Sequence, residues 1–399
     1  MVQPNIIIAF GNLAMWALTG KWGILKWRGS QLVQDDPYTY VTYKIPGSNP
    51  DLNKHLAASM EKTITRPKVI PTLHPAAVIR EWPQRALVLS DLRRAKSHMT
   101  TRTWENKPTW NFLVRPSFEE TLRVLNALIS DCDHLTECWL DFDIETVHGH
   151  IDCIGISWSR RDAICIPFMT RHCKEGYWSL DEEAQVVWLL YKLLTHPQAR
   201  IRAQNGLYDA QYVYRHWHFL PRFVHDTMIS QHSLFAALPK GLGFIASMYA
   251  DWYVYWKDEG KIASSAPEEQ RWRYNLQDCV YTRECGEVLQ QAAQTMGLEA
   301  VDAQQQALFD PVLKAMLRGV RVRPEVKGQM ALEIQEELSQ REAFLYNILG
   351  HVINPSSPKQ MQALFYEDLK QPPIMKRQIL GGHTVMRPTC DDEALTKIA

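Results

Sequence analysis

Asp143 and Glu145 stand two residues apart in Phe142-Asp143-Ile144-Glu145-Thr146. On a strand, side chains at i and i+2 leave the same face, so both carboxylates can reach one spot. A second acid, Asp209, ends Asn205-Gly206-Leu207-Tyr208-Asp209, which follows a strand-like run ending at Ala203 and opens a helix. Tyr274-Asn275-Leu276-Gln277-Asp278 lies in a helical pattern, where Tyr274 and Asp278, at i and i+4, share a face. Carboxylates gathered in one place repel and raise one another's pKa unless a cation neutralises them. Two divalent ions about 4 Å apart would do this, and hard oxygen donors suit Mg²⁺ or Mn²⁺. Such a pair activates a water and steadies the leaving oxygen of a phosphodiester, with the Tyr274 phenol placed to orient or deprotonate that water. The chemistry that fits is in-line phosphodiester hydrolysis. Taken singly, each motif has an ordinary reading: an exposed strand end, a helix cap, a surface pair. All three in this order, each on the element it needs, point to a metal site.

The chain around these motifs has 399 residues, enough for two to three domains. With 46% hydrophobic and 22% charged residues it has the composition of a chain with real cores, which excludes disorder as its main state. Forty-four Lys+Arg balance 44 Asp+Glu, so nucleic-acid binding must come from local patches or metal ions, not from overall charge. The longest apolar run, Ile6 to Ala17, is interrupted by Asn12 and falls short of the roughly 20 residues of a membrane span. No membrane partner is expected, and Met1-Val2-Gln3-Pro4-Asn5 lacks the positive start of a secretion signal. The eight cysteines form no Cys-x-x-Cys pair, and Cys153 and Cys165 sit in strand-like runs. They read as buried free thiols of a reducing compartment, which implies the cytoplasm. Most of the 14 Trp are expected in cores or interfaces.

The elements that must position the acids follow from local pattern. Residues 1–98 show strand–turn–helix units: a strand at Ile6–Phe10, a turn at Gly11-Asn12, a helix from Leu13 to Thr19, a loop-rich stretch over 46–67, a strand at Lys68–Leu73 and a helical segment ending near Lys96. Residues 99–109 are polar and read as a linker. Residues 110–295 alternate strands and helices: a hairpin around His148-Gly149, a third strand at Ala163–Pro167, and helices near 181–195, 208–216 and 267–290. Residues 296–399 are expected to be mainly helical, with Met330, Ile334, Leu338 and Leu345 at helical spacing and Gly350 as a stop.

Residues 110–295 resemble the proofreading 3′–5′ exonuclease domain of family A (polymerase I-like) DNA polymerases, within the DnaQ-like superfamily. FDIET at 142–146 matches the first exonuclease motif, QNGLYD at 204–209 the second, and YNLQD at 274–278 the third, in its Tyr variant. The resemblance implies a ribonuclease H-like α/β domain, a mixed sheet with flanking helices. It implies that Asp143, Glu145, Asp209 and Asp278 hold two divalent ions and that Tyr274 positions the water. It also implies that Thr146 and Asn205 contact single-stranded DNA. His225-Asp226-Thr227-Met228 and Leu238-Pro239-Lys240-Gly241-Leu242 look like the phage members. Asp226 reads as structural, and Asp141, on the Asp143 face, receives no role.

The flanks carry two further resemblances. Asp310-Pro311-Val312-Leu313 to Val322 and Ile353-Asn354-Pro355-Ser356-Ser357-Pro358-Lys359-Gln360-Met361 look like the thumb-side start of the polymerase module. That implies backbone contacts to primer–template DNA by Ser357 and Lys359. The palm and fingers motifs do not follow, so the sequence reads as a truncated or split polymerase whose palm and fingers would come from a separate chain. Ala9-Phe10-Gly11-Asn12, Arg28-Gly29 and Thr72-Leu73-His74-Pro75-Ala76-Ala77 resemble the C-terminal half of a family 4-like uracil-DNA glycosylase. That gives His74 the place of a base-pocket histidine in a vestigial pocket. The family's Gly-rich first motif and iron–sulfur cysteines are missing, and a packing or DNA-binding module is the expectation there.

The expectation is therefore an α/β nuclease domain between a partial α/β glycosylase-like segment and a helical thumb-like segment, hydrolysing single-stranded DNA from its 3′ end. A ribonuclease D-type RNA exonuclease and a non-catalytic DNA-binding remnant are the alternatives.

Overall fold

The computed structural model describes residues 4–35, 66–173, 176–258, 267–380 and 383–398. Most of the loop-rich stretch expected at 46–67 lies outside them. The chain divides into two compact units, Met1–Arg318 and Gly319–Ala399.

The first unit opens with a small sheet: β1 (Ile6–Phe10), the helix α1 (Gly11–Thr19), a short turn of helix α2 (Ile24–Trp27), β2 (Leu32–Val33) and β3 (Lys68–Thr72). β1 and β3 run parallel, and β2 joins β3 antiparallel. The helices α3 (Pro75–Arg80) and α4 (Arg85–Ser97) follow. The Gly11-Asn12 turn expected from the sequence is instead the start of α1, with Gly11 at φ +81°. Asn12 spends its side chain on the amides of Gly23 and Ile24, at 3.1 and 2.7 Å, which fixes α2 against α1.

A six-stranded mixed sheet forms the larger layer: β4 (Asn111–Leu113), β5 (Cys138–Val147), β6 (His150–Ser157), β7 (Asp162–Pro167), β8 (Ala199–Ala203) and β9 (Phe223–Asp226), in the order β4-β7-β6-β5-β8-β9. β5, β6 and β7 form an antiparallel meander, and the remaining pairings are parallel. The β5–β6 hairpin turns at His148 and Gly149, both at positive φ. The helices are α5 (Phe118–His134), α6 (Leu180–Leu194), α7 (Gly206–Trp217), α8 (Thr227–Leu234), α9 (Leu242–Tyr249), α10 (Glu268–Met296), α11 (Glu299–Ala307) and α12 (Phe309–Arg318). Ser117 with Glu120, and Ser179 with Glu182, close reciprocal capping boxes that start α5 and α6.

Strand alternation separates two chemistries on β5. Leu140, Phe142 and Ile144 point into the core shared with α5 and α6, beside Leu125, Leu190 and Leu193. Asp141, Asp143 and Glu145 take the opposite direction. On that face α10 lays Trp272, Leu276 and Val280 against Cys153 of β6 and Cys165 of β7. One apolar stripe of a 29-residue helix thus fixes its height and rotation over the sheet.

The second unit holds α13 (Pro324–Leu349), ended by Gly350 at φ +75°, and α14 (Pro358–Gln362). It also holds β10 (Met375–Leu380) and β11 (His383–Pro388), paired antiparallel, and α15 (Asp392–Ile398). The segment is mainly helical, as expected, and the hairpin of β10 and β11 is its one departure among the described residues.

Candidate metal centre

Asp143 and Glu145 leave β5 toward α10, where Asp278 meets them. One carboxylate oxygen from each of these three side chains lies within 4.8 Å of the others. A bulge between Glu145 and Thr146 loosens the strand there, and bulges are a common way to re-aim side chains next to a site. Asp209, on the first turn of α7, lies outside this trio. Its Oδ1 accepts the backbone N–H of Ile144 at 2.9 Å, locking α7 to the strand between the two acids.

Burial is the first cause of the cluster's unusual electrostatics, and mutual repulsion is the second. The carboxyl of Asp143 is held well above the ordinary range, first by burial, then by Asp278, Asp209 and Glu145, with Lys257 opposing. Glu145 is pushed up to about 8 by burial and Asp278, again against Lys257. Asp209 is pushed up to about 7 by burial, partly offset by the Ile144 amide. Buried and half-buried acids that raise each other in this way make a site poised for a cation. Three converging hard oxygens are the donor set that Mg²⁺ or Mn²⁺ takes, so these residues fit a divalent ion.

Three neighbours complete the site, and none was singled out from the sequence. Asn275 Nδ2 donates to Asp143 Oδ2 at 2.7 Å and to the Asp143 carbonyl at 3.1 Å. Asn275 lies three residues before Asp278 on α10, a spacing that could have revealed it. Trp256 Nε1 donates to Asp278 Oδ1 at 2.7 Å. Lys257 Nζ donates to Asp278 Oδ2 and, at 2.9 Å, to the Tyr274 hydroxyl. Trp256 and Lys257 come from a stretch without regular structure, which no periodicity marks.

Tyr274 is half-buried, with its phenol pushed up by burial and by Asp278, Glu145 and Asp143. Thr146 stands on the rim, its hydroxyl 2.7 Å from that of the exposed Tyr208. Asn205 is exposed at φ +62° just before α7.

Asp226 accepts backbone N–H groups from Gly206 and Met228 at 2.8 Å, and from Asn205 and Ile229 at 3.2 and 3.4 Å. It caps α8 and pins the loop that starts α7, a structural task. Asp141, fully buried, pairs with Arg283 at 2.8 Å and Arg202 at 3.5 Å. His74 is exposed, and its Nδ1 accepts the Ala76 amide at 3.2 Å, capping α3. In the second unit Ser357 caps α14 through the Gln360 amide at 3.4 Å, and Lys359 is exposed.

No protein-family model matches the chain. Over 119 residues it is 28% identical to DNA polymerase I of Treponema pallidum (strain Nichols), a stretch that makes up 30% of this chain and 12% of that protein. The chain thus covers only a small part of the curated relative it matches. Among solved structures, the POL domain of Pol1 from M. smegmatis aligns over 72% of this chain and 44% of its own, at 15% identity and a TM-score of 0.42. Escherichia coli RNase D aligns over 52% of this chain and 51% of its own, at 13% identity and a TM-score of 0.38. Brucella melitensis NrnC aligns over 46% and 84%, at 18% identity and a TM-score of 0.36.

Proposed function

We propose that the chain is a metal-dependent 3′–5′ exonuclease that shortens single-stranded DNA and releases 5′-mononucleotides. The observation that carries this is that Asp278 meets Asp143 and Glu145, more than 130 residues before it, with one carboxylate oxygen of each within 4.8 Å of the others. A cluster of this kind costs stability unless it serves a cation. The identity with a DNA polymerase I over 119 residues favours DNA as the substrate.

Asp143, Glu145 and Asp278 would hold one divalent ion, and Asp209, whose charge acts on Asp143, would serve a second. When bound, these ions supply an activated water and stabilise the departing oxygen. The chain's own residues do the rest. The raised phenol of Tyr274 keeps its proton and so can donate a hydrogen bond that holds the attacking water in line. The Asn275 amide keeps Asp143 turned toward Asp278. Thr146 and Asn205, with Tyr208 beside them, offer polar and aromatic groups to the last nucleotides of a single strand.

Residues 110–295 form the exonuclease domain in this reading. Residues 296–399 are a thumb-like piece, with Ser357 and Lys359 touching the backbone of primer–template DNA. Residues 1–98 are a packing module, because His74 serves a helix cap; no glycosylase reaction and no separate palm and fingers chain belong to the proposal.

The test incubates the full chain with Mg²⁺ or Mn²⁺ and a 5′-labelled single strand, as DNA and as RNA of the same sequence. A ladder shortening from the 3′ end of the DNA is expected, and it should vanish in Asp143→Ala. Faster shortening of the RNA assigns a ribonuclease D-type activity instead. A folded chain that cuts neither and binds no divalent ion overturns the proposal.

A further inference from the structure

The stretch from Ala250 to Trp256 lacks regular structure, yet it delivers Trp256 to the metal centre. What fixes it comes from far away in the sequence. The Gln31 amide donates to the Tyr253 carbonyl at 2.7 Å, and the Tyr253 amide donates to Gln31 Oε1 at 2.8 Å. One residue thus imitates both halves of a strand pairing. Ser30 Oγ accepts the Tyr255 amide at 3.2 Å, and Arg94 Nη2 donates to the Ala250 carbonyl at 2.8 Å. Gln31 Nε2 also reaches Asn106, whose own amide donates to the Asp251 carbonyl at 2.7 Å.

These clamps are buried and rigidly backed. Ser30 and Gln31 are 0% and 2% exposed. Arg28, just before them, pairs with the buried Asp91 of α4 and donates to Ser247 Oγ on α9 at 2.8 Å. Asp91 also accepts from Thr72 on β3 at 2.7 Å. Arg94, also on α4, donates to the Gly29 carbonyl at 2.7 Å as well as to the Ala250 carbonyl, so it ties the backbone beside the clamp to the stretch that ends at Trp256. Trp256 in turn stacks on Tyr281 of α10, with ring centroids 4.3 Å apart, and holds Asp278 Oδ1. Carboxylate ligands depend on such outer partners for their orientation.

We propose that the N-terminal segment is a working part of the nuclease site: Gln31 sets the position of the 250–256 stretch so that the Trp256 indole orients Asp278. The proposal rests on the exonuclease reading for its consequence, and on geometry alone for the clamp. Gln31 is a positioning residue, acting through Trp256.

The experiment compares the full chain with Gln31→Met, Trp256→Phe and Leu193→Ala. Leu193, on α6, lies in the core on the other face of the six-stranded sheet, which holds no residue of the clamp or of the 250–256 stretch, and reports plain destabilisation. Proton exchange at the Trp256 indole N–H, followed by NMR, should quicken about tenfold or more in Gln31→Met but not in Leu193→Ala at a comparable loss of Tm. Calorimetry should show Mn²⁺ binding about tenfold weaker in Gln31→Met and Trp256→Phe, and unchanged in Leu193→Ala. If Gln31→Met does not fold, Ser30→Ala, which removes the outer contact to Tyr255, should show the same order on a smaller scale. Gln31→Met that loses Tm while keeping wild-type exchange and Mn²⁺ binding overturns the proposal. A wild-type chain that binds no Mn²⁺ and cuts no nucleic acid ends the exonuclease reading instead, while the exchange comparison still decides the clamp.

Discussion

Gly155 faces Asp143 across the β5–β6 pair, and a Cβ on Gly155 would come within 2.3 Å of Asn275 Oδ1. The empty side of the glycine is where the Asn275 amide lies while it donates to Asp143. Gly155→Ala is therefore expected to push α10 off the sheet and cost about 1–3 kcal/mol, as overpacking does. Asn275→Ala leaves the backbone alone and frees the Asp143 carboxylate. It should weaken divalent binding or turnover by about tenfold with a far smaller change in Tm. Calorimetric titration with Mn²⁺ alongside thermal unfolding separates the two; equal losses of Tm would show Asn275 to be mere packing.

The acids should harm the metal-free protein. Asp143 is surrounded by Asp278, Asp209 and Glu145, so Asp143→Asn removes a buried repulsion. Its Tm without metal is expected to rise above wild type, and its Tm gain on adding Mg²⁺ should vanish together with hydrolysis. A variant less stable than wild type in chelator would mean that the carboxylate has another partner in the fold.

The pH dependence has a definite sign. Glu145, near 8, and Asp209, near 7, titrate far above the roughly 4 of an unfolded carboxyl. Between about pH 4 and pH 8 the native state therefore holds more protons than the unfolded chain, and metal-free stability falls as pH rises through that window. Cation binding must displace those protons, so affinity should climb from pH 5.5 to pH 8 and then level. Unfolding scans with and without Mg²⁺ at several pH values measure both. A metal-induced Tm gain independent of pH over this range would contradict the cluster's electrostatics.

Much of the site was legible because its spacings are those of its elements. The two-residue step from Asp143 to Glu145 and the four-residue step from Tyr274 to Asp278 are strand and helix periods, and the structure puts both pairs on those elements. Asp226 was readable as a structural residue, and it caps α8. What escaped was set by tertiary contact. Trp256 and Lys257 lie in a stretch without period, and tertiary contacts with the N-terminal clamp, α9 and α10 bring them to Asp278. Gly11 looked like a turn, yet its positive φ starts a helix beside His74. The helical spacing of Met330, Ile334, Leu338 and Leu345 belongs to α13 and says nothing of the C-terminal hairpin of β10 and β11. The motif places Asp209 at the start of α7, while its bond to the Ile144 amide is a tertiary contact that no spacing announces.

Lys257 sets up a competition. Its ammonium sits on Asp278 Oδ2 and 2.9 Å from the Tyr274 hydroxyl, and 4.9 Å from the centre of that ring. Among the described residues its positive charge opposes the raised pKa of both Asp143 and Glu145. A divalent ion entering the trio would compete with this ammonium for the Asp278 carboxylate. Lys257→Met should therefore tighten Mn²⁺ binding about two- to fivefold, matching the ~0.5–1 kcal/mol that a partly exposed ion pair is worth. Without metal the same variant should lose stability, because the acids then have no counter-ion. Isothermal titration at low salt reads the affinity, and a thermal scan in chelator reads the stability. Weaker Mn²⁺ binding in Lys257→Met would instead make the ammonium an ally of the ion, holding Asp278 in place for it.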